Sequence, residues 1–123
     1  MNYVEGYSDS EIAYSKKEAA AFFKEQSDAT PLPFIFLSAG VSTALFQQTL
    51  VFAHESGSTF NGVLCGRATW KDGVKAYVEN GREGAIEWLR TQGRQNIESL
   101  NKVINENATP WFDKVKEDSV TAK

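Results

Sequence analysis

Two short apolar runs, each followed by a loop of small or polar residues and then a helical pattern, dominate the middle of the chain. The first covers residues 33–37 and ends at Ser38-Ala39-Gly40, and the second covers residues 60–65 and ends at Gly66-Arg67. Continuous runs of this length are typical of strands that are buried on both faces of a parallel sheet. The pattern therefore predicts two successive strand–loop–helix units and an α/β fold.

Capping signals predict where the helices beside these strands begin and end. Ser15 followed by Glu18 is a capping box, in which the serine accepts from a first-turn N–H and the glutamate reaches back. Ser42 is a suitable N-cap for the helix after the first strand, and Gly57 is a suitable C′ residue for it. Residues 3–4 are predicted to be the end of an earlier strand.

Beyond Arg67 the pattern changes to helices. Apolar residues at three-to-four spacing predict short helices over residues 70–78, 82–91 and 95–107, separated at Asn80-Gly81 and at Gly93. Two strands and one strand end would leave the edges of the sheet open. The chain has 123 residues, enough for one domain, yet its pattern is that of a portion of a larger fold.

Composition excludes several classes of function. The formal net charge is −3 and the pI is about 5.2, without a cluster of basic residues, which argues against a nucleic-acid or anionic-membrane partner. No apolar run approaches the length of a membrane span. The single cysteine, Cys65, lies in an apolar strand and is expected to be reduced and buried, which fits a cytoplasmic protein. His54 has no companion ligands, so a zinc site is not expected.

The two strand ends carry groups that bind anions. Ser38 offers a hydroxyl, Gly40 and Gly66 offer unobstructed backbone N–H groups, and Arg67 offers a planar fork of donors. Each segment also has a simpler interpretation. Residues 38–40 could be only a tight turn into the next helix, and Arg67 could form a salt bridge with a nearby carboxylate. Taken together, the four residues predict a phosphate site.

The two strand-end segments, residues 32–40 (LPFIFLSAG) and 60–70 (FNGVLCGRATW), together resemble the C-terminal part of class I tagatose 1,6-bisphosphate aldolases. The resemblance runs from Met1 to the tail near Trp111 and is weakest after Pro110. It implies a (β/α)8 TIM barrel, in which residues 1–123 would be a single partial domain. That domain would hold the end of strand six, strands seven and eight with their helices, and the terminal helices. A complete barrel typically needs about 250 residues.

The resemblance also implies an activity: cleavage of tagatose 1,6-bisphosphate to dihydroxyacetone phosphate and glyceraldehyde 3-phosphate through a lysine Schiff base, without a metal or other cofactor. The phosphate-binding positions of the family match Ser38, Gly40, Gly66 and Arg67, so the expected partner is a phosphorylated ketose. The Schiff-base lysine of the family lies just upstream of the segment that matches Met1. No catalytic residue is therefore assigned, and we expect these 123 residues to be inactive without the remaining barrel portion.

The lysines of the chain offer no replacement for that residue. A Schiff-base lysine needs burial or a neighbouring cation to lose its proton near neutral pH. Five lysines lie on predicted helices or their first turns among polar neighbours and are interpreted as solvated: Lys16, Lys17, Lys24, Lys71 and Lys75.

Two other functions are compatible with the residues. The chain could be a non-catalytic phosphate-binding or interaction module that covers its open apolar edges by self-association. It could also be a small independent α/β domain that binds a phosphorylated ligand where the strand order reverses, although it has no glycine-rich dinucleotide fingerprint.

Overall fold

Two short parallel strands lie at the centre of the molecule. The computed structural model describes residues 1–7 and 11–115. Strand β1 (Phe36–Leu37) pairs with strand β2 (Val63–Leu64), with Phe36 opposite Val63 and Leu37 opposite Leu64. Beyond the strand ends, the Ser38 N–H donates to the Leu64 carbonyl at 3.2 Å. The parallel pairing is as predicted, but the regular strands are shorter than the apolar runs.

Helices make up most of the remaining described chain. Their bounds are α1 (Lys16–Asp28), α2 (Thr43–Glu55), α3 (Arg67–Trp70), α4 (Gly73–Trp88), a π-helical turn (Leu89–Gly93), α5 (Arg94–Asn107) and a final 3-10 turn (Trp111–Asp113). Within residues 1–7 and 11–115, each helix is too short or too polar to span a lipid bilayer.

The predicted caps of α1 and α2 are confirmed. The Glu18 N–H donates to the Ser15 hydroxyl and the Ser15 N–H donates to the Glu18 carboxylate, which completes the capping box. The Leu45 N–H donates to the Ser42 hydroxyl at 3.2 Å. Gly57 follows α2 with a φ of 86°, a left-handed conformation that glycine adopts without steric cost.

The core lies on one side of the sheet, where α2 and α5 cover the strands. Its buried residues are Phe46, Leu50, Ala53, Phe60 and Leu100. Phe60 and Leu50 are fully buried, and the Phe60 ring lies 5.2 Å from the ring of Phe36. Burying a leucine or phenylalanine side chain contributes about 1.5–3 kcal/mol, so this side of the sheet supplies much of the hydrophobic stabilisation.

The opposite side of the sheet is open. Ile35, Leu37 and Leu64 are 56%, 63% and 66% exposed. The prediction that both strands are buried on both faces is therefore wrong for the described chain. The side chains of a strand alternate between its two faces, and among the described residues no element covers this one.

The N-terminal segment also differs from the prediction. Val4 forms an isolated parallel bridge with Tyr14, so residues 3–4 are not a strand that continues the sheet beside β1. Val4 instead packs with Ala19 and Phe52 in a second, smaller buried cluster.

The helices after Arg67 divide at Gly81, as the sequence predicts, but not at Gly93. Gly81, with φ 65° and ψ −160°, has a non-helical backbone and separates two helical segments within the range of α4. Gly93 does not interrupt the chain but lies within the π-helical turn. An added Cβ at Gly93 would lie 3.2 Å from Cζ3 of Trp88. This glycine therefore allows a close approach of the Trp88 ring, and a glycine at such a position resembles a helix stop in the sequence.

Candidate functional site

The loop after β1 is a tight turn with two left-handed residues. Ala39 has a φ of 50° and Gly40 a φ of 77°, and the Val41 N–H donates to the Ser38 carbonyl at 3.1 Å. The interpretation of residues 38–40 as a tight turn is therefore correct. An alanine with positive φ costs about 1–2 kcal/mol, and strained residues of this kind cluster at functional sites. The turn itself is compatible with ligand binding.

Arg67 lies directly against this turn. A Cβ added at Gly40 would lie 3.3 Å from both Cζ and Nη2 of Arg67. The guanidinium thus packs over the backbone of Gly40, where a side chain would obstruct it. Because the carboxyl ends of parallel strands meet at one edge of a sheet, the two predicted loops were expected to come together here, and they do.

Among the described residues, Arg67 has no carboxylate partner. The ion pairs formed among residues 1–7 and 11–115 involve other side chains, and Arg67 is exposed. The salt-bridge alternative is therefore not found in the described part of the chain. A guanidinium at a strand end can recognise a ligand oxyanion through two parallel hydrogen bonds.

Gly66 places the start of α3 at the same edge of the sheet. It is the residue before α3, and its carbonyl accepts from the Thr69 N–H at 2.8 Å and from the Thr69 hydroxyl at 2.7 Å. A Cβ added at Gly66 would make only an ordinary contact, at 3.6 Å, with Nε1 of Trp70. The glycine leaves its exposed backbone accessible rather than relieving a clash.

Two side chains from other helices hold α3 in place, and neither is predictable from the local sequence. The Thr43 hydroxyl, in the first turn of α2, donates to the Ala68 carbonyl. The Asn96 amide, on α5, donates to the Thr69 carbonyl at 2.9 Å. Neither residue belongs to a local motif, because each contact joins segments at least 25 residues apart in the chain.

Ser38 differs from the other three predicted residues because it is buried. It is only 6% exposed, and its hydroxyl hydrogen-bonds to the sulfur of Cys65. Burial raises the pKa of the Cys65 thiol, and the hydrogen bond from Ser38 partly opposes that effect. Ser38 also lines a cavity of about 240 Å³ together with residues 1–3, and the lining of this cavity does not include Gly40, Gly66 or Arg67.

Lys71 is a further cation at the turn. Its ammonium donates to the Gly40 carbonyl at 3.3 Å. Lys71 is therefore not simply the solvated lysine that its sequence context predicts. Its spacing of four residues from Arg67 was the available signal, since residues four apart lie on one face of a helix.

The other lysines have different surroundings. Lys24 pairs with Asp28, and Lys75 lies 3.8 Å from Glu79. Burial lowers the pKa of Lys114, whose ammonium donates to the Thr59 carbonyl at 2.7 Å. Thr59 precedes β2, so Lys114 lies at the end of the sheet opposite to the Arg67 loop.

Within residues 1–7 and 11–115, no three His, Cys, Asp or Glu side chains form a metal-binding group.

Larger cavities lie elsewhere, but their linings are less suited to binding an anion. A groove of about 480 Å³ beside Trp70 and Leu89 has a mainly apolar surface, and the two charged residues that line it, Arg94 and Glu98, are paired with each other. The turn at residues 38–40 and the loop at Gly66-Arg67 (the Arg67 loop) provide the cations and backbone groups that an anion requires. We therefore take these two loops as the candidate site.

Known proteins are similar in sequence to this chain, and the similar region includes the candidate site. Residues 7–72, which include both loops, match the family described as DeoC/LacD family aldolase. The tagatose 1,6-diphosphate aldolase 2 of Enterococcus faecalis is 66% identical over 116 residues. The tagatose 1,6-diphosphate aldolase of Lactococcus lactis is 61% identical over 115 residues. The tagatose 1,6-diphosphate aldolase 2 of Streptococcus agalactiae is 60% identical over 115 residues.

These alignments cover 94% of this chain but 35% of each relative. The chain thus spans about a third of the length of the curated relatives it matches. The family match extends over more than half of the chain and contains both strands and the loops that bring Arg67 onto Gly40. On this evidence the chain belongs to the DeoC/LacD family of aldolases.

Proposed function

We propose that residues 1–123 form the phosphate-binding portion of a class I tagatose 1,6-bisphosphate aldolase. The observation that carries this proposal is the packing of the Arg67 guanidinium over Gly40, at the ends of two paired parallel strands. TIM barrels commonly bind phosphate at the loops after their last two strands. The names of the relatives support tagatose 1,6-bisphosphate as the substrate.

In this proposal the site holds one phosphate of the phosphorylated ketose. Arg67 forms the charged contact, the backbone N–H groups of Gly40 and Gly66 donate to further oxygens, and the Ser38 hydroxyl completes the set. Charge-assisted hydrogen bonds are about twice as strong as neutral ones. Holding the phosphate fixes the carbonyl carbon of the sugar relative to the catalytic lysine, which lowers the entropic part of the barrier.

The covalent step belongs to residues outside this chain. A barrel portion preceding residue 1 would supply the Schiff-base lysine and the acid–base carboxylate, and these 123 residues alone would not cleave the sugar. That portion would also cover Ile35, Leu37 and Leu64, the open face of the sheet. The single, half-buried cysteine fits a cytoplasmic setting.

A chimeric enzyme tests the role of Arg67. This chain would replace the matching third of the Enterococcus faecalis relative, with and without Arg67→Met. Losing one charged hydrogen bond costs about 1.5–3 kcal/mol, so we expect KM for tagatose 1,6-bisphosphate to rise by about one to two orders of magnitude, with a smaller change in kcat.

Arg82→Met is the matched control. Arg82 is exposed on α4, and its guanidinium lies 3.8 Å from Glu83. The control should keep KM within about twofold, because exposed ion pairs contribute little. An unchanged KM in the Arg67→Met chimera would show that Arg67 is not the phosphate anchor.

A second function is favoured by the open sheet face. The chain could be a non-catalytic phosphate-binding module in which two copies bury Ile35, Leu37 and Leu64 against each other. Sedimentation analysis of the purified chain separates the two proposals. A concentration-dependent dimer that persists after the missing barrel portion is added would favour the module, whereas replacement of the dimer by a one-to-one complex would favour the aldolase.

A further inference from the structure

The turn at Gly40 is contacted by two cations rather than one. The guanidinium of Arg67 packs over the Gly40 backbone, and the ammonium of Lys71 donates to the Gly40 carbonyl at 3.3 Å. Arg67 begins α3, and the Lys71 N–H donates to the Arg67 carbonyl at 2.9 Å. One helical turn therefore presents both charges to the same peptide group.

The two charges have no carboxylate partner in the described chain. The ion pairs among residues 1–7 and 11–115 involve neither Arg67 nor Lys71. The nearest acidic residue in sequence, Asp72, precedes α4 and forms none of those pairs. Like charges four residues apart on a helix destabilise it. A bound dianion would attract both the Arg67 guanidinium and the Lys71 ammonium and so offset the repulsion between them.

Lys71 also restrains a turn that is costly to hold. Ala39 and Gly40 both have positive φ values. The ammonium is anchored to α3, which the Thr43 and Asn96 side chains fix in turn. The hydrogen bond from the Lys71 ammonium to the Gly40 carbonyl therefore connects the turn at residues 38–40 to the Arg67 loop.

We propose that Lys71 is a positioning residue of the phosphate site, which fixes the Gly40 turn under the Arg67 guanidinium and adds a second positive charge for the phosphate. This inference rests on the proposed function of the site. It differs from the sequence-based interpretation of Lys71 as a solvated lysine.

Titration of the complete chain with inorganic phosphate at pH 8, followed by the amide signals of Gly40 and Gly66 in nuclear magnetic resonance spectra, tests this role. We expect Lys71→Met to raise the Kd about fivefold, the upper range for an exposed charged pair, and to reduce the salt dependence of binding. Lys71→Arg should stay within about twofold of the unchanged chain, because it keeps the charge and a donor.

Lys75→Met is the matched control, because Lys75 is also exposed and lies one turn further along, beside Glu79. A positioning role also predicts that Lys71→Met speeds hydrogen exchange of the Val41 amide, which closes the turn onto Ser38. The loss of a positive charge alone would instead slow that exchange, because amide exchange at pH 8 is catalysed by hydroxide, which a nearby cation attracts.

Arg67→Met, measured in parallel, separates the role of Lys71 from the proposed phosphate site itself. If Arg67→Met weakens phosphate binding while Lys71→Met does not, or if Lys71→Met and Lys75→Met weaken it equally, the role of Lys71 is refuted and the proposed function stands. If the unchanged chain does not bind phosphate, or Arg67→Met has no effect, both proposals are overturned.

Discussion

The two faces of the β1–β2 sheet are built from neighbouring residues of the same strands, yet their environments are opposite. On one face, Phe36 lies 5.2 Å from Phe60 and packs into a core with Leu50. On the other face, Leu37 and Leu64 are 63% and 66% exposed. Both sets of side chains are apolar. The difference therefore arises from which face has helices to cover it.

In the proposed aldolase, the open face is where the rest of the barrel would attach. A run of apolar residues in a strand has no reason to be apolar on a face that stays in water, since exposed apolar patches favour association. The chain spans 35% of its relatives, which leaves the larger part of those proteins to supply a cover. The covered face, by contrast, is complete within the described residues.

The largest predicted effect is the loss of a side chain from the covered face. Leu50→Ala should lower the free energy of unfolding by about 2–5 kcal/mol, because Leu50 is fully buried and its removal leaves a cavity. Urea unfolding followed by circular dichroism measures this loss. Leu64→Ala on the open face should change it by less than about 0.5 kcal/mol. Equal losses at the two positions would abolish the distinction between the faces.

A smaller effect is expected from the helix that covers the core. Ser42→Ala removes the hydroxyl that accepts from the Leu45 N–H and should cost about 1 kcal/mol in the same urea experiment. Ser42→Asp should restore most of the loss, because aspartate is also a good N-cap. A loss that aspartate does not restore would assign Ser42 another role.

The open face should influence association more than folding. Leu37→Ser combined with Leu64→Ser should change the free energy of unfolding by less than about 1 kcal/mol, because both side chains are already exposed. The same change should weaken self-association of the chain in sedimentation experiments. If association is unaffected while the variant stays folded, the contact surface lies elsewhere.

The smallest effect concerns the thiol at the end of β2. Burial raises the pKa of Cys65 from its ordinary value of 9.0. The protonated thiol is therefore favoured in the folded chain, and the free energy of unfolding should fall as pH rises above about 9. Alkylation with iodoacetamide as a function of pH should show a higher midpoint for the folded chain than for the chain in urea.

A cysteine on the open face provides the comparison for that measurement. Leu64→Cys, in a chain that also carries Cys65→Ser, places a thiol where the native side chain is 66% exposed. It should be alkylated faster than Cys65 at every pH, because thiolates form more readily in water than in an apolar environment. A slower reaction would mean that the open face is covered.

Local signals predicted the helices beside the sheet and the meeting of the two loops. The capping box at Ser15 and the N-cap at Ser42 are contacts between residues three apart, which a short segment specifies by itself. The meeting of Gly40 with Arg67 follows from parallel pairing, which places both strand ends at one edge of the sheet.

Features that depend on distant contacts were not predictable in this way. The hydrogen bond from the Asn96 amide to the Thr69 carbonyl, which helps to hold α3, joins residues 27 apart in the chain. The hydrogen bond from Lys71 to Gly40 joins residues 31 apart in the chain. The exposure of Leu37 depends on whether a neighbouring element is present. The sequence of the strand shows that its side chains are apolar, but not whether another element covers them.

The most direct test of the account is fragment complementation. The portion of the Enterococcus faecalis relative that precedes its match to this chain would be produced separately and mixed with the chain in equal amounts, and cleavage of tagatose 1,6-bisphosphate would be measured. We predict activity in the mixture, in neither part alone, and a large loss with Arg67→Met. Cleavage by the 123-residue chain by itself, or a mixture that forms no complex and has no activity, would contradict the account.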